Sequence, residues 1–209
     1  MRFILFVVGY TERDAAAAFL KRWLDPRLNR RVGITSVRFD GWAELIKDVP
    51  KKARMYLDKS AGNSDVIAVI ALIDLYGPTI YPEDKKTIAE RYNWAKKHVE
   101  DQVGAERFRQ FFAVHETEAW LLSDPKLFPL EVRNALPPKA SKPETVNFDN
   151  PPAKLLEKIY VAKMRRKYRK LTDGATLFRK LDPEVAYNKC PYLKAMLDEM
   201  LMLAQNAGL

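Results

Sequence analysis

Between residues 65 and 75 the chain offers water no side to face. Val66, Ile67, Val69, Ile70, Leu72 and Ile73 fill both alternating positions of an extended segment, and after Asp65 the next carboxylate comes at Asp74. A strand apolar on both faces is covered on both faces, which is the condition of a central strand in a parallel sheet sandwiched between helices. Gly77 and Pro78 end the run. The segment from Arg2 to Val8 repeats the pattern with β-branched and aromatic members, and Gly9 and Thr11 punctuate it. Residues 14–24 follow with Phe19, Leu20, Trp23 and Leu24 at helical spacing.

The alternation continues along the chain. A strand is predicted over 32–39 and an amphipathic helix over 41–59, with Pro50 as a break or kink. After the strand at 65–75 come a charged helix over 82–103, a strand over 107–114 and a helix over 116–122. Strands alternating with helices require right-handed crossovers, so the fold class is α/β, Rossmann-like, with a mainly parallel sheet flanked by helices. Seven prolines between 123 and 152 disfavour regular structure there, and the remainder reads as helices ending in an apolar-faced one over 192–205. The expected organisation is therefore an α/β core over 1–124, a Pro-rich loop over 125–152 and a helical C-terminal appendage over 153–209, packed on the core.

Composition excludes several function classes. A single cysteine, Cys190, allows neither an intrachain disulfide nor a thiolate zinc cluster. The apolar run at the N-terminus is far shorter than the roughly 20 residues of a membrane span, and only Arg2 fits a signal peptide, so a cytoplasmic protein with no membrane partner is expected. No Gly-rich phosphate loop and no G-x-S-x-G elbow is present, which removes support for ATPase, dehydrogenase and serine-hydrolase readings. With 36 Lys and Arg against 27 Asp and Glu the formal charge is +9, and polyanionic partners such as nucleic acid are favoured. Residues 163–170 concentrate that charge. On a helix, Arg165, Arg166, Lys167, Arg169 and Lys170 would meet phosphates and Tyr168 would stack on bases; a solvated helix face is the alternative.

Functional groups of parallel sheets collect beyond the carboxyl ends of the strands. Glu12 follows the first strand, Asp74 closes the third and Glu116 follows the fourth. Clustered carboxylates need a cation or protons to neutralise them, and hard oxygen donors suit Mg2+ or Mn2+, which would activate water for phosphoryl chemistry. Each acid has a plainer role open to it: Glu12 at the N-terminus of its helix, Asp74 capping a turn with Tyr76 and Gly77. No second histidine follows at the zincin spacing, so His115 reads first as structural, with a place beside Glu118 as an additional site residue as the alternative. Glu116 and Glu118 are two residues apart and cannot share a helical face, so one of them is expected to point at the crevice while Glu118 could turn to the basic segment.

The motifs Val7-Val8-Gly9-Tyr10-Thr11-Glu12, Ile73-Asp74-Leu75-Tyr76-Gly77 and His115-Glu116-Thr117-Glu118-Ala119-Trp120-Leu121-Leu122, in this order, resemble the signature of an uncharacterised prokaryotic domain-of-unknown-function family with a Toprim-like core. Lys142-Pro143-Glu144, Pro152-Ala153-Lys154, Tyr168-Arg169-Lys170 and Asn188-Lys189-Cys190-Pro191 resemble its helical tail. The resemblance implies a Toprim fold related to primases, topoisomerases and the overcoming-lysogenisation-defect nucleases. It further implies Mg2+-dependent phosphodiester cleavage in a defence or mobile-element setting, with Glu12, Asp74 and Glu116 as metal ligands and catalytic groups, and an ATPase partner. One departure bears on the activity. The family's first motif reads V-E-G-x-T-E, and Val8 stands here in place of the first glutamate, while the second aspartate of the Toprim Asp-x-Asp is Tyr76. The alternative implied is a catalytically degenerate module that binds nucleic acid or an ATPase.

Overall fold

The computed structural model describes residues 1–9, 15–146 and 150–209. Four strands, β1 (Arg2–Val8), β2 (Gly33–Phe39), β3 (Val66–Asp74) and β4 (Phe108–Ala113), form one sheet in the order β2-β1-β3-β4. All three pairings are parallel, with Phe6 opposite Val37 and Ala71, and Leu72 opposite Phe111. The α/β class and the parallel sheet read from the hydrophobic runs are those observed. β1 and β3 are central because their apolar side chains point to both faces and must be covered on both. The order reverses between them: the chain leaves β1 toward β2 on one side and later returns to β3 on the other. That switch point is where an open α/β sheet leaves a crevice.

Each face has its own apolar layer. On one, Ile4, Phe6, Val69, Ala71, Ile73 and Phe112 meet α2 (Trp42–Leu57) and α3 (Ile88–Val103). On the other, Phe3, Leu5, Val7, Ile70, Leu72 and Phe111 meet α1 (Ala17–Leu24), α4 (Glu118–Leu122) and the C-terminal helices. The alternation slips once, where the β1–β3 register shifts between Arg2 and Ile4 and Ile67 and Ala68 both fall in the second layer. An extra residue in one strand produces such a slip.

The C-terminal third completes that second layer. After α5 (Leu130–Arg133) come α6 (Pro152–Met164), α7 (Ala175–Lys180), α8 (Pro183–Lys189) and α9 (Pro191–Asn206). Leu193, Met196, Leu197 and Met200 of α9 belong to the same buried cluster as the sheet residues. Tail and sheet share one core.

Three boundaries differ from the sequence reading, each for a local reason. The charged helix begins at Ile88 rather than at residue 82, because Thr87 and Glu90 form a reciprocal capping box that fixes the start. Pro50 sits inside α2 without ending it. The Pro-rich segment is not structureless: short 3-10 turns at Pro125–Leu127, Pro138–Ser141 and Pro143–Thr145 each place a proline where its missing N–H would have been unpaired anyway.

The largest correction concerns residues 163–170, read as a helical basic segment. α6 ends at Met164, Arg165 takes a left-handed conformation (φ 53°), and an irregular stretch follows to a π-helical turn at Lys170–Gly174. A continuous helix would have carried Tyr168 to the surface, whereas its ring is buried and packs against Tyr160 at 5.4 Å. Gly174 permits this, since a Cβ there would stand 2.8 Å from the Tyr168 hydroxyl.

Candidate functional site

At the switch point the carboxyl ends of β1 and β3 open into a cavity of about 400 Å³, within the size range of small-ligand sites. Val8 and Gly9 line it from β1, Ile73 and Asp74 from β3, Trp42 from the start of α2, Thr117 from the approach to α4, and Lys170 and Leu171 from the tail. Gly9 turns the chain out of the sheet at φ 92°, a backbone angle that a side chain would strain. The lining is mostly apolar around a small polar centre.

That centre is built from three elements. Asp74 ends β3, so its carboxylate emerges at the sheet edge; Oδ1 accepts the backbone N–H of Thr117 at 3.0 Å, and Oδ2 lies 3.3 Å from Lys170 Nζ. The turn-capping role read for Asp74 is therefore exercised, but toward the α4 turn instead of Tyr76 and Gly77. Lys170 Nζ also lies 3.2 Å from Glu118 Oε2, whose side chain is 1% exposed. Burial, with Asp74 and Glu116 nearby, pushes the Glu118 carboxyl up to about 7 against the pull of Lys170.

Glu116 takes a separate position before α4. Its Oε2 accepts the Ala153 N–H at 2.9 Å, capping α6, whose own N-cap, Pro151, has no side chain able to do so. Burial and the charge of Asp74 raise its carboxyl as well. Glu116→Ala is expected to lower stability by about 1 kcal/mol, since the cap is lost, whereas Glu116→Gln should recover most of it. Chemical denaturation of both variants measures the difference; equal losses would show that the carboxyl oxygen does not act as the cap.

The remaining candidates fall as follows. Glu12 lies outside the described residues. His115 is fully buried behind the site, and desolvation followed by Arg91 lowers it to about 4, which suits a neutral structural imidazole. Arg166 is engaged by Asp173 at 2.7 Å and 3.0 Å, Lys170 by the acids, and Lys167 more distantly by Glu157 at 4.0 Å; Arg165, Arg166, Lys167 and Arg169 are all exposed. Tyr168, read as a stacking platform, is buried and cannot serve as one. Sequence reasoning missed Trp42, Thr117 and Leu171 as lining and missed that Lys170 pairs with Asp74, whereas the turn of Glu118 toward the basic segment is the one observed, with Lys170 as its partner. It also missed Glu144, which accepts the Tyr192 and Leu193 N–H groups at 2.8 Å and 3.2 Å to cap α9. The signal for that cap was Pro191, which begins α9 without a capping side chain of its own.

Oxygen donors of this kind have the right chemistry for Mg2+ or Mn2+. Among the described residues, however, no three His, Cys, Asp or Glu side chains gather closely enough to hold an ion, and the cationic position beside Asp74 and Glu118 is taken by an ammonium. The described residues by themselves do not supply a ligand set for a divalent metal, and Glu12, the third acid expected beside them, lies outside the described residues. Among the described residues no helix is long and apolar enough to cross a membrane.

A family model described as Domain of unknown function (DUF4276) matches residues 7–201, from the end of β1 to the last helix. The chain belongs to that family. Comparison with curated proteins and with solved structures finds no match. The DUF4276 match spans both the crevice at the switch point and the tail residues Lys170 and Leu171 that close it.

Proposed function

We propose that this chain is a nucleic-acid-binding module on a Toprim-like scaffold, with phosphate held by the basic stretch that leads from α6 into the crevice. The observation that carries the reading is the position of Arg165, Lys167 and Arg169: all exposed, and directly followed in the chain by Lys170 and Leu171, which line the cavity. Lys154, whose ammonium lies 3.3 Å from the Tyr76 hydroxyl, adds a further cation at the rim. With an overall charge of +9, a polyanion would be drawn to this side and held by counterion release. An ATPase partner belongs to the same proposal on the strength of the family resemblance alone.

The test is binding of short DNA and RNA oligonucleotides across a salt series by fluorescence anisotropy. Replacing Arg165, Lys167 and Arg169 together with alanine is expected to weaken binding at low salt by about tenfold or more. The log–log salt slope should flatten by about 3, one for each cation that no longer neutralises a phosphate. Binding by the triple variant with an unchanged salt slope would refute the assignment.

Mg2+-dependent phosphodiester cleavage, the second reading, is favoured by one observation. A carboxyl raised to about 7, as at Glu118, has the proton affinity of a general acid or base. Cleavage of the same oligonucleotides with Mg2+ or Mn2+, abolished in Asp74→Ala, would establish that reading in place of the first.

A further inference from the structure

The fold places a cation at the mouth of the crevice, and the chain supplies it. Lys170 comes from the π-helical turn after α6, far in sequence from β3 and α4, yet its Nζ stands 3.3 Å from Asp74 Oδ2 and 3.2 Å from Glu118 Oε2. Asp74 is held from the other side by the Thr117 N–H, so the carboxylate is fixed to face the lysine. Glu118 is buried, and an anion in that setting is tolerated only with a partner close by. Val8, at the end of β1, presents only hydrocarbon to the same cavity. A divalent ion approaching Asp74 and Glu118 would meet a positive charge already beside both carboxylates, and repulsion at such short range in a partly desolvated place is large.

We propose that the Lys170 ammonium is the resident cation of this site, a covalently tethered stand-in for the divalent metal, and that the crevice is metal-independent because of it. The proposal extends the binding-module reading, but the two can fail separately: one is read by metal binding, the other by the salt dependence of oligonucleotide binding.

Isothermal titration of the purified full chain with Mn2+ alone tests it. Wild type is expected to show no Mn2+ binding that Asp74→Asn removes. Lys170→Met, which keeps an apolar stem and drops the charge, is expected to bind Mn2+ tighter than wild type by on the order of tenfold or more, a difference of about 1.4 kcal/mol or greater, and to lose this when combined with Asp74→Asn. Lys170→Arg keeps the charge and should remain blind to Mn2+. Asp74-dependent Mn2+ binding by wild type would overturn the proposal, as would a Lys170→Met protein that gains none. A gain in Lys170→Arg equal to that in Lys170→Met would also overturn it, because a loosened turn would then be the cause. Circular dichroism verifies that each variant is folded. Should the methionine protein not fold, Lys170→Gln replaces it, and wild type with and without Asp74→Asn still decides.

Discussion

Truncating Trp120 to alanine is expected to lower the stability of the whole chain by about 4 kcal/mol, and to do so in a single unfolding transition. The indole is fully buried in α4, stacked on Phe19 of α1 at 5.7 Å and met edge-on by Phe178 of α7 at 6.1 Å, while Phe19 and Phe178 meet each other at 6.2 Å. Three rings from three helices thus close the layer between sheet and tail. Removing the largest leaves a cavity bordered by parts that cannot collapse independently. Trp120→Phe is the control: it keeps a ring, and it removes an indole N–H that has no hydrogen-bond partner among the described residues, so its cost should be much smaller. Urea denaturation followed by far-ultraviolet circular dichroism measures both. If Trp120→Ala melts in two steps, with the sheet surviving loss of the tail, the shared core is refuted.

The second large effect is a pH dependence with a definite sign. Burial raises the Glu118 and Glu144 carboxyls to about 7 in the folded chain, against roughly 4.3 for an unfolded glutamate. Between those values the native state holds protons that the unfolded state has released. Stability therefore decreases as pH rises from about 4.5 to 7 and levels off above. The limiting contribution is about 4 kcal/mol for each group. His115 acts oppositely: lowered to about 4, it stays neutral while an unfolded imidazole is charged, so its contribution to stability rises with pH up to about 6.5. Comparing wild type with Glu118→Gln isolates one carboxyl from this mixture. The glutamine variant is expected to gain on wild type by about 3 kcal/mol between pH 5 and pH 8, a difference of several degrees in Tm. A constant difference across that range would show that Glu118 ionises as an ordinary surface carboxylate.

Both effects bear on how the site is maintained. Glu118 is held beside Asp74 and Lys170 at a cost in desolvation. Residues kept against their local cost are those that function requires, or those that hold a neighbouring element in place. Lys170 fits the second description as well as the first, since its two ion pairs tie the turn after α6 to β3 and α4.

Much of this was legible in the chain before folding. The runs at Arg2–Val8 and Val66–Asp74 lack any polar side, which forces central strands, and central parallel strands force helices on both faces. Asp74 closing such a run was bound to stand at the sheet edge, and with the strands parallel the other strand ends had to gather beside it. The sequence thus determined the α/β class, the strand positions and the place of the crevice.

Tertiary structure alone decided what fills that place. Local spacing carries no record that Lys170 returns to Asp74, that Glu116 caps the α6 helix across the chain, or that Glu144 caps α9. The basic segment misled for the same reason: its charge pattern suited a helix, but burying Tyr168 against Tyr160 outweighed helical propensity, which is worth only tenths of a kcal/mol per residue. Periodicity reports which side of an element meets the core. Which charges meet each other depends on segments far apart in the chain, and those become neighbours only once the core has brought them together.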